Sequence, residues 1–294
     1  MAELVLDARN GTGESPVWQA AEQALYWVDI PGRTVHRWSP TQGHRQWATD
    51  EMPACLAATA TQGRWLAGME SGLFELHLPS EPNPAIATRV AGVAHAAPAM
   101  RFNDGRCDRQ GRFWAGTMCL DMAAGLRAGA WYRFGAGDSA LPAQLDDFIV
   151  PNGLAFSPDG RTMYMSDSHP SVQAIWAFDY DTDSGTPSNR RLFVDMKPLP
   201  GRPDGAAIDV DGGYWICGND AGLVHRFTPD GRLDRSLPVP VKKPAMCAFG
   251  GPQLDTLYVT SIRPGGDLSD QPLAGGVFAL RPGTQGLPEP AFAG

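Results

Sequence analysis

Gln110-Gly111-Arg112-Phe113-Trp114-Ala115-Gly116 is a polar turn that runs into a short apolar and aromatic strand, and the same arrangement recurs along the chain. It returns as Pro158-Asp159-Gly160-Arg161-Thr162-Met163-Tyr164-Met165-Ser166-Asp167 and as Asp211-Gly212-Gly213-Tyr214-Trp215-Ile216-Cys217. Weaker copies are Ala24-Leu25-Tyr26-Trp27-Val28-Asp29, Gln62-Gly63-Arg64-Trp65-Leu66-Ala67-Gly68 and Thr256-Leu257-Tyr258-Val259-Thr260-Ser261. Taking Trp27, Leu66, Trp114, Met165, Trp215 and Val259 as equivalent gives six units spaced by about 39, 48, 51, 50 and 44 residues. Each unit continues into a further strand, such as Thr34-Val35-His36-Arg37-Trp38 or Leu223-Val224-His225-Arg226-Phe227. A repeat of this length holds one four-stranded blade, and six blades close into a ring. The expectation is an all-β, six-bladed β-propeller that takes in residues 1–294 as one domain. A pair of β-sandwiches would not produce six recurrences. Leu4-Val5-Leu6 is predicted to complete the last blade.

Composition agrees. The 34 glycines and 26 prolines break a 43% apolar content into short runs between turn signals. A net charge of −8 with no basic block argues against a nucleic acid or an anionic membrane as partner. No apolar stretch approaches the roughly 20 residues that span a bilayer. The opening Met1-Ala2-Glu3-Leu4 lacks a basic region followed by an apolar core, so a cytoplasmic location is expected. Five cysteines without a C-x-x-C pair read as reduced, buried thiols. The sequence sets no oligomeric state.

The repeat also points to chemistry. Eight residues upstream of the turn positions Gly111, Gly160, Gly212 and Glu22 stand Asn103, Asn152, Asp204 and Glu14. The second and sixth units have Ala54 or Cys55 and Ala245 there. Equivalent inner-strand positions ring the axis of a propeller, so four oxygen-bearing side chains should converge. Two carboxylates and two amides at one point suit a hard cation such as Ca²⁺, Mg²⁺ or Mn²⁺, with Zn²⁺ also compatible with carboxylate ligands. Taken singly, Pro151-Asn152-Gly153 and Pro203-Asp204-Gly205 also read as plain turns. Arg101, two residues before Asn103, shares its face and would meet either a carboxylate or substrate. Asp108, Asp159, Asp209 and Asp211 read as turn formers. Asp167 is either a further carboxylate near the cation or a turn cap, and His169 either lines the mouth or is an ordinary loop histidine. No phosphate loop, G-x-S-x-G elbow or H-E-x-x-H pair occurs.

Gly13-Glu14-Ser15-Pro16-Val17-Trp18, Arg101-Phe102-Asn103-Asp104-Gly105, Gly111-Arg112-Phe113-Trp114-Ala115-Gly116-Thr117-Met118, Pro151-Asn152-Gly153-Leu154-Ala155-Phe156-Ser157 and Pro203-Asp204-Gly205 come in that order. In combination they resemble the regucalcin (senescence marker protein), gluconolactonase and luciferin-regenerating enzyme family over nearly the whole length. The resemblance implies one divalent cation, whether calcium, zinc, manganese, magnesium or iron(II), on Glu14, Asn152 and Asp204. It implies substrate contacts from Arg101 and Asn103, which moves Asn103 from ligand to substrate group. A further contact usually made by Glu in the regucalcin branch falls near Asp121, one methylene shorter. The implied activity is hydrolysis of aldonolactones such as glucono-, galactono-, arabino- or xylonolactone, with Asp204 as general base. A non-catalytic calcium-binding propeller and an aryl-ester or phosphotriester hydrolase on the same fold are the alternatives.

Overall fold

Short strands of alternating or continuous apolar residues, separated by Gly- and Asp-rich turns, pair with their sequence neighbours to form antiparallel sheets. In the computed structural model, which describes residues 2–80, 84–138 and 140–294, they form six four-stranded sheets. The innermost strands are Gly13–Gln19, Cys55–Ala58, Met100–Cys107, Pro151–Phe156, Arg202–Ile208 and Pro244–Gly250. They contact one another in sequence, and the sixth contacts the first, so the ring is closed. The six-bladed propeller is thus the observed fold. Its last sheet takes its outermost strand from the other end of the chain, because Glu3–Leu6 pairs with Val277–Leu280. The predicted closing strand is in place.

Apolar side chains lie between blades as well as within them. Trp27, Trp65, Trp114, Trp131 and Trp215 are fully buried. Tyr26 of the first blade packs on Trp65 of the second at 4.3 Å between ring centroids, and Trp215 of the fifth on Phe249 of the sixth at 6.0 Å. The repeated hairpin turns are tied by Asp108, whose Oδ1 accepts the N–H groups of Gln110 and Arg112. Asp209 does the same for Asp211 and Gly213, and Asp159 accepts from Arg161. The turn-forming assignment holds for these three. All five cysteines are free and buried.

One feature escapes the sequence pattern. Five of the six inner strands carry an extra residue relative to the strand beside them, in the intervals Glu14/Val17, Phe102/Gly105, Asn152/Ala155, Pro203/Ala206 and Pro244/Cys247. The second blade pairs from Cys55 to Ala58 without interruption. Such bulges bend a strand and re-aim its side chains. Counted from them, equivalent second-strand positions are Tyr26, Ala115, Tyr164, Ile216 and Val259, each within one residue of the position chosen from sequence. Pro151-Asn152-Gly153 and Pro203-Asp204-Gly205 are therefore not turns but bulged strand.

At the far end of the axis the chain folds back under the ring. Phe292 N–H donates to Ala58 O at 2.7 Å and Ala293 N–H to Gly111 O at 3.0 Å. Arg106, from the third inner strand, reaches across the channel to Ala206 O at 2.7 Å and pairs with Glu289 of this segment at 3.2 Å. That mouth is closed, which leaves the opposite one for a ligand.

Candidate active site

The bulges gather the predicted residues at the open mouth. Glu14 and Asn152 are the last paired residues before their bulges, whereas Asn103 and Asp204 lie inside theirs. The expected common register therefore holds only to within one residue. The two pairs differ in backbone: Ser15 and Gly153, which follow Glu14 and Asn152, have φ of 51° and 65°. That left-handed conformation suits glycine, and a Cβ on Gly153 would also stand 2.6 Å from the Tyr214 hydroxyl. Gly205, after Asp204, has no room for a Cβ because Met246 Cγ would be 2.3 Å away. These close approaches let the inner strands converge on the axis.

Asn152 and Asp204, from adjacent blades, meet directly: Asn152 Nδ2 donates to Asp204 Oδ1 at 2.8 Å. Nδ2 also donates to Ser168 Oγ at 2.8 Å. The Ser168 hydroxyl hydrogen is already directed to Pro203 O, so Ser168 can only accept from Asn152, which fixes the orientation of the amide. Asn152 Oδ1 is left buried without a partner. An acceptor in that state is costly unless something outside the protein satisfies it. Asp204 Oδ2 accepts from Asn219 Nδ2 at 2.6 Å.

Glu14 stands close enough to this pair for the carboxylates to repel. Burial, then the charges of Asp204 and Asp104, push Glu14 well above the usual carboxylate range. Burial pushes Asp204 up to about 7 in spite of Asn219 and Arg202, which favour its charged form. Glu14, Asn152 and Asp204 are only 8%, 3% and 7% exposed. Two buried carboxylates and an orphaned amide oxygen are a donor set that a hard divalent cation would satisfy. Among the described residues no group of three or more His, Cys, Asp or Glu side chains is arranged to hold a metal. The Glu14, Asn152 and Asp204 set differs by supplying an amide as its third donor.

Arg101 and Asn103 flank this group. Arg101 Nη1 donates to Asn103 Oδ1 at 2.8 Å and to Phe102 O at 2.6 Å, and Asn103 Nδ2 to Pro151 O at 3.1 Å. Burial lowers Arg101 to about 10, which leaves it charged at neutral pH. Its near contacts are an amide and a carbonyl rather than a carboxylate.

The other predicted residues fare differently. Asp121 is exposed, and its Oδ1 accepts from Ala123 N–H at 3.1 Å, capping the short 3₁₀ turn Met122–Ala124. Asp167 is a loop organiser: its carboxylate accepts the N–H groups of Ile149, Val150 and His169. His169 Nδ1 faces Ser171 Oγ at 2.7 Å, and its ring lines a cleft at the mouth. His36 is paired with His44 at 3.0 Å, and His225 lies between Ser236 Oγ and Pro200 O, all away from the centre.

Sequence reasoning missed Asn219, Ser168 and Asp104. Gly13, Pro151 and Arg202 pair with Asp29, Asp167 and Asn219, so these three hold one position in their blades. Asp29 accepts from Gly11 and Thr12 N–H as Asp167 does from Ile149 and Val150. In the fifth blade asparagine replaces aspartate and donates to Asp204 instead; a carboxylate there would repel it. The register of the repeat held that signal. Asp104 Oδ2 accepts from Leu154 N–H at 2.8 Å and ties the third inner strand to the bulge that carries Asn152.

Residues 12–263 match the profile described as the SMP-30/Gluconolactonase/LRE-like region. The chain belongs to the SMP-30/gluconolactonase/LRE-like family. Among its relatives is the 6-deoxy-6-sulfogluconolactonase of Pseudomonas putida, 39% identical over 291 residues that cover 96% of this chain and 95% of that protein. The regucalcin of Oryctolagus cuniculus is 35% identical over 300 residues, 99% of this chain and 98% of its own. The crystal structure of a calcium-binding protein, regucalcin, from Agrobacterium tumefaciens superposes with a TM-score of 0.90 at 28% identity, covering 99% of this chain and 97% of that one. The family resemblance read from the motifs is therefore correct.

Proposed function

We propose that this SMP-30/gluconolactonase-like protein is a divalent-metal-dependent hydrolase that opens sugar-acid lactones, with Glu14, Asn152 and Asp204 as metal ligands. The observation that carries the reading is the convergence of these three side chains with Asn152 Oδ1 buried and unpartnered. The relatives support the substrate class, since one 39% identical is a 6-deoxy-6-sulfogluconolactonase. Calcium is among the candidate cations because a 28% identical structural neighbour is a calcium-binding regucalcin; zinc, manganese, magnesium and iron(II) complete the set to be tested. On this reading the chain works as one propeller domain in the cytoplasm. No helix among the described residues is long and apolar enough to cross a membrane.

When bound, the cation supplies Lewis-acid polarisation of an ester carbonyl and makes water more acidic. Asp204 takes the proton of the attacking water, a role suited to a carboxylate whose burial lifts it toward neutrality. Asn219 and Asn152 hold its two oxygens in place. Arg101 and Asn103 orient the sugar hydroxyls so that the ester carbon faces the water. Asp121 caps the Ala123 N–H through Oδ1 alone, which leaves Oδ2 for a substrate contact.

Proton release from glucono-, galactono-, arabino- and xylonolactone, measured with each cation in turn, tests this function. Turnover that requires a cation and is lost in Asp204→Ala together with cation binding is expected. Full activity of that variant would falsify the assignment. Cation binding without turnover would favour the calcium-binding propeller instead. Robust aryl-ester or phosphotriester hydrolysis with negligible lactone turnover would favour the third reading, although no histidine among the described residues is hydrogen-bonded to Glu14, Asn152 or Asp204.

A further inference from the structure

A cleft of about 380 Å³ lies between the segments that lead into the fourth, fifth and sixth inner strands. Met122, Val150 and Pro170 give it an apolar side, and Arg202, Asp220 and Lys243 a charged one. The charged side is built on the elements that carry the candidate active site. Arg202 opens the inner strand Arg202–Ile208 that holds Asp204. Lys243 precedes the next inner strand, Pro244–Gly250. Asp220 follows Asn219, whose amide holds Asp204 Oδ2 at 2.6 Å. The charged side also touches the site's own scaffold, since Arg202 Nη1 donates at 3.4 Å to the carbonyl of Ser168, whose hydroxyl accepts from Asn152, and the charges of Arg202 and Asp220 reach Asp204.

The charges do not cancel. Arg202 Nε donates to Asp220 Oδ2 at 2.6 Å, and Lys243 Nζ donates to Asp220 Oδ1. Two cations share one carboxylate, so the trio by itself carries one positive charge. Arg202 has five N–H groups and Lys243 three, more than Asp220 engages. Their side chains are 22% and 27% exposed, shielded enough for a charge-assisted contact to count but open to a ligand. The chain as a whole carries a net charge of −8, so this positive corner runs against its overall balance.

A neutral hydroxyl would use little of this arrangement. A tetrahedral oxyanion has three terminal acceptors, enough to take N–H groups from both cations while Asp220 keeps its own bonds. We propose that this cleft is a specificity subsite for a sulfonate- or phosphate-type substituent at the end of the sugar-acid lactone remote from the ester carbon, with Arg202 and Lys243 as its donors. The proposal rests on the lactonase reading for what fills the neighbouring centre. The carbon chain that joins the two sites would lie against Val150 and Met122.

The test compares kcat/KM of the cation-loaded, full-length protein on gluconolactone, 6-deoxy-6-sulfogluconolactone and 6-phosphogluconolactone. The wild type should prefer an anionic lactone over the neutral one by about tenfold or more, mainly through KM, and lose part of that preference as salt is added. The anion with the higher value identifies the natural substituent. Arg202→Gln and Lys243→Gln should each cut the anionic-to-neutral ratio by about tenfold. Asp220→Asn, which removes the competing carboxylate, should raise it. A wild-type ratio near one, or a ratio unmoved in the first two variants, overturns the proposal. Should no lactone turn over, the lactonase reading fails by itself, and calorimetric titration with gluconate, 6-deoxy-6-sulfogluconate and 6-phosphogluconate still reads the cleft. An anionic acid should then bind more tightly than gluconate and lose that advantage in Arg202→Gln; equal binding of all three acids refutes the subsite.

Discussion

At the scale of single residues, the proposed chemistry depends on Asp204 being both buried and held. Replacing it with Asn keeps the shape and the contact with Asn152 but removes the base, and should lower kcat by about 100- to 10,000-fold. Near wild-type turnover in Asp204→Asn would mean that another group takes the proton. Asn219 acts through Asp204 by donating to Oδ2. Without that bond the charged form of Asp204 loses support, so Asn219→Ala should move the acid limb of the pH–rate profile upward, whereas a purely structural loss would scale the whole profile down. The metal-free protein should also report its crowded carboxylates. Asp204 lies near 7 when folded without a cation, above the roughly 3.9 of an unfolded aspartate. The native state therefore keeps a proton that the unfolded chain has released between those limits. The contribution of Asp204 to metal-free stability is full below about pH 4 and is lost as the pH rises toward 7. A cation removes the repulsion and competes with that proton, so the rise in Tm on adding it should be larger at pH 8 than at pH 5. Equal rises at both would contradict the shared site.

At the scale of elements, the inner-strand bulges decide which side chains reach the axis. Gly153 occupies a left-handed position against the Tyr214 hydroxyl, which itself donates to Gly153 O at 2.6 Å. Gly153→Ala combines backbone strain with a steric conflict and should cost about 1–3 kcal/mol, with weaker cation binding because Asn152 is displaced. Denaturant unfolding and calorimetric cation titration check the two effects. The grouping of Glu14, Asn103, Asn152 and Asp204 was legible in the sequence because the repeat and the motif order both mark them, and Arg101 because it stands two residues before Asn103 in the same motif. The bulges were not, since one extra residue in a strand pair leaves no periodic trace. Their clue, glycine or proline beside each polar residue, reads equally well as a turn. Counting from the hairpin glycine also hides the longer loop of the fourth blade, where Phe156 pairs with Met163 while Cys107 pairs with Phe113 in the third. Asn219 could have been found as the one asparagine at a position held by Asp29 and Asp167 in other blades, whereas the Arg202–Asp220–Lys243 cluster stayed hidden because it depends on side-chain contacts that register alone does not give.

At the scale of the whole molecule, ring closure is what makes side chains nearly 200 residues apart into neighbours. The closing strand Glu3–Leu6 holds the sixth blade, and that blade abuts the first, which carries Glu14. Deleting residues 2–7 exposes the edge of Val277–Leu280 and should lower Tm by at least about 5 °C while weakening cation binding, a loss that a purely local closing role would not produce. The recurring aromatic strands make this architecture legible in the sequence itself, because six repeats of one blade have few ways to bury their faces. The most direct test of the shared cation is anomalous diffraction from crystals of the protein soaked in Mn²⁺. A single strong peak within about 2.0–2.6 Å of the Glu14 carboxylate, Asn152 Oδ1 and the Asp204 carboxylate is the expected result; no peak there, or a stronger one elsewhere, contradicts it.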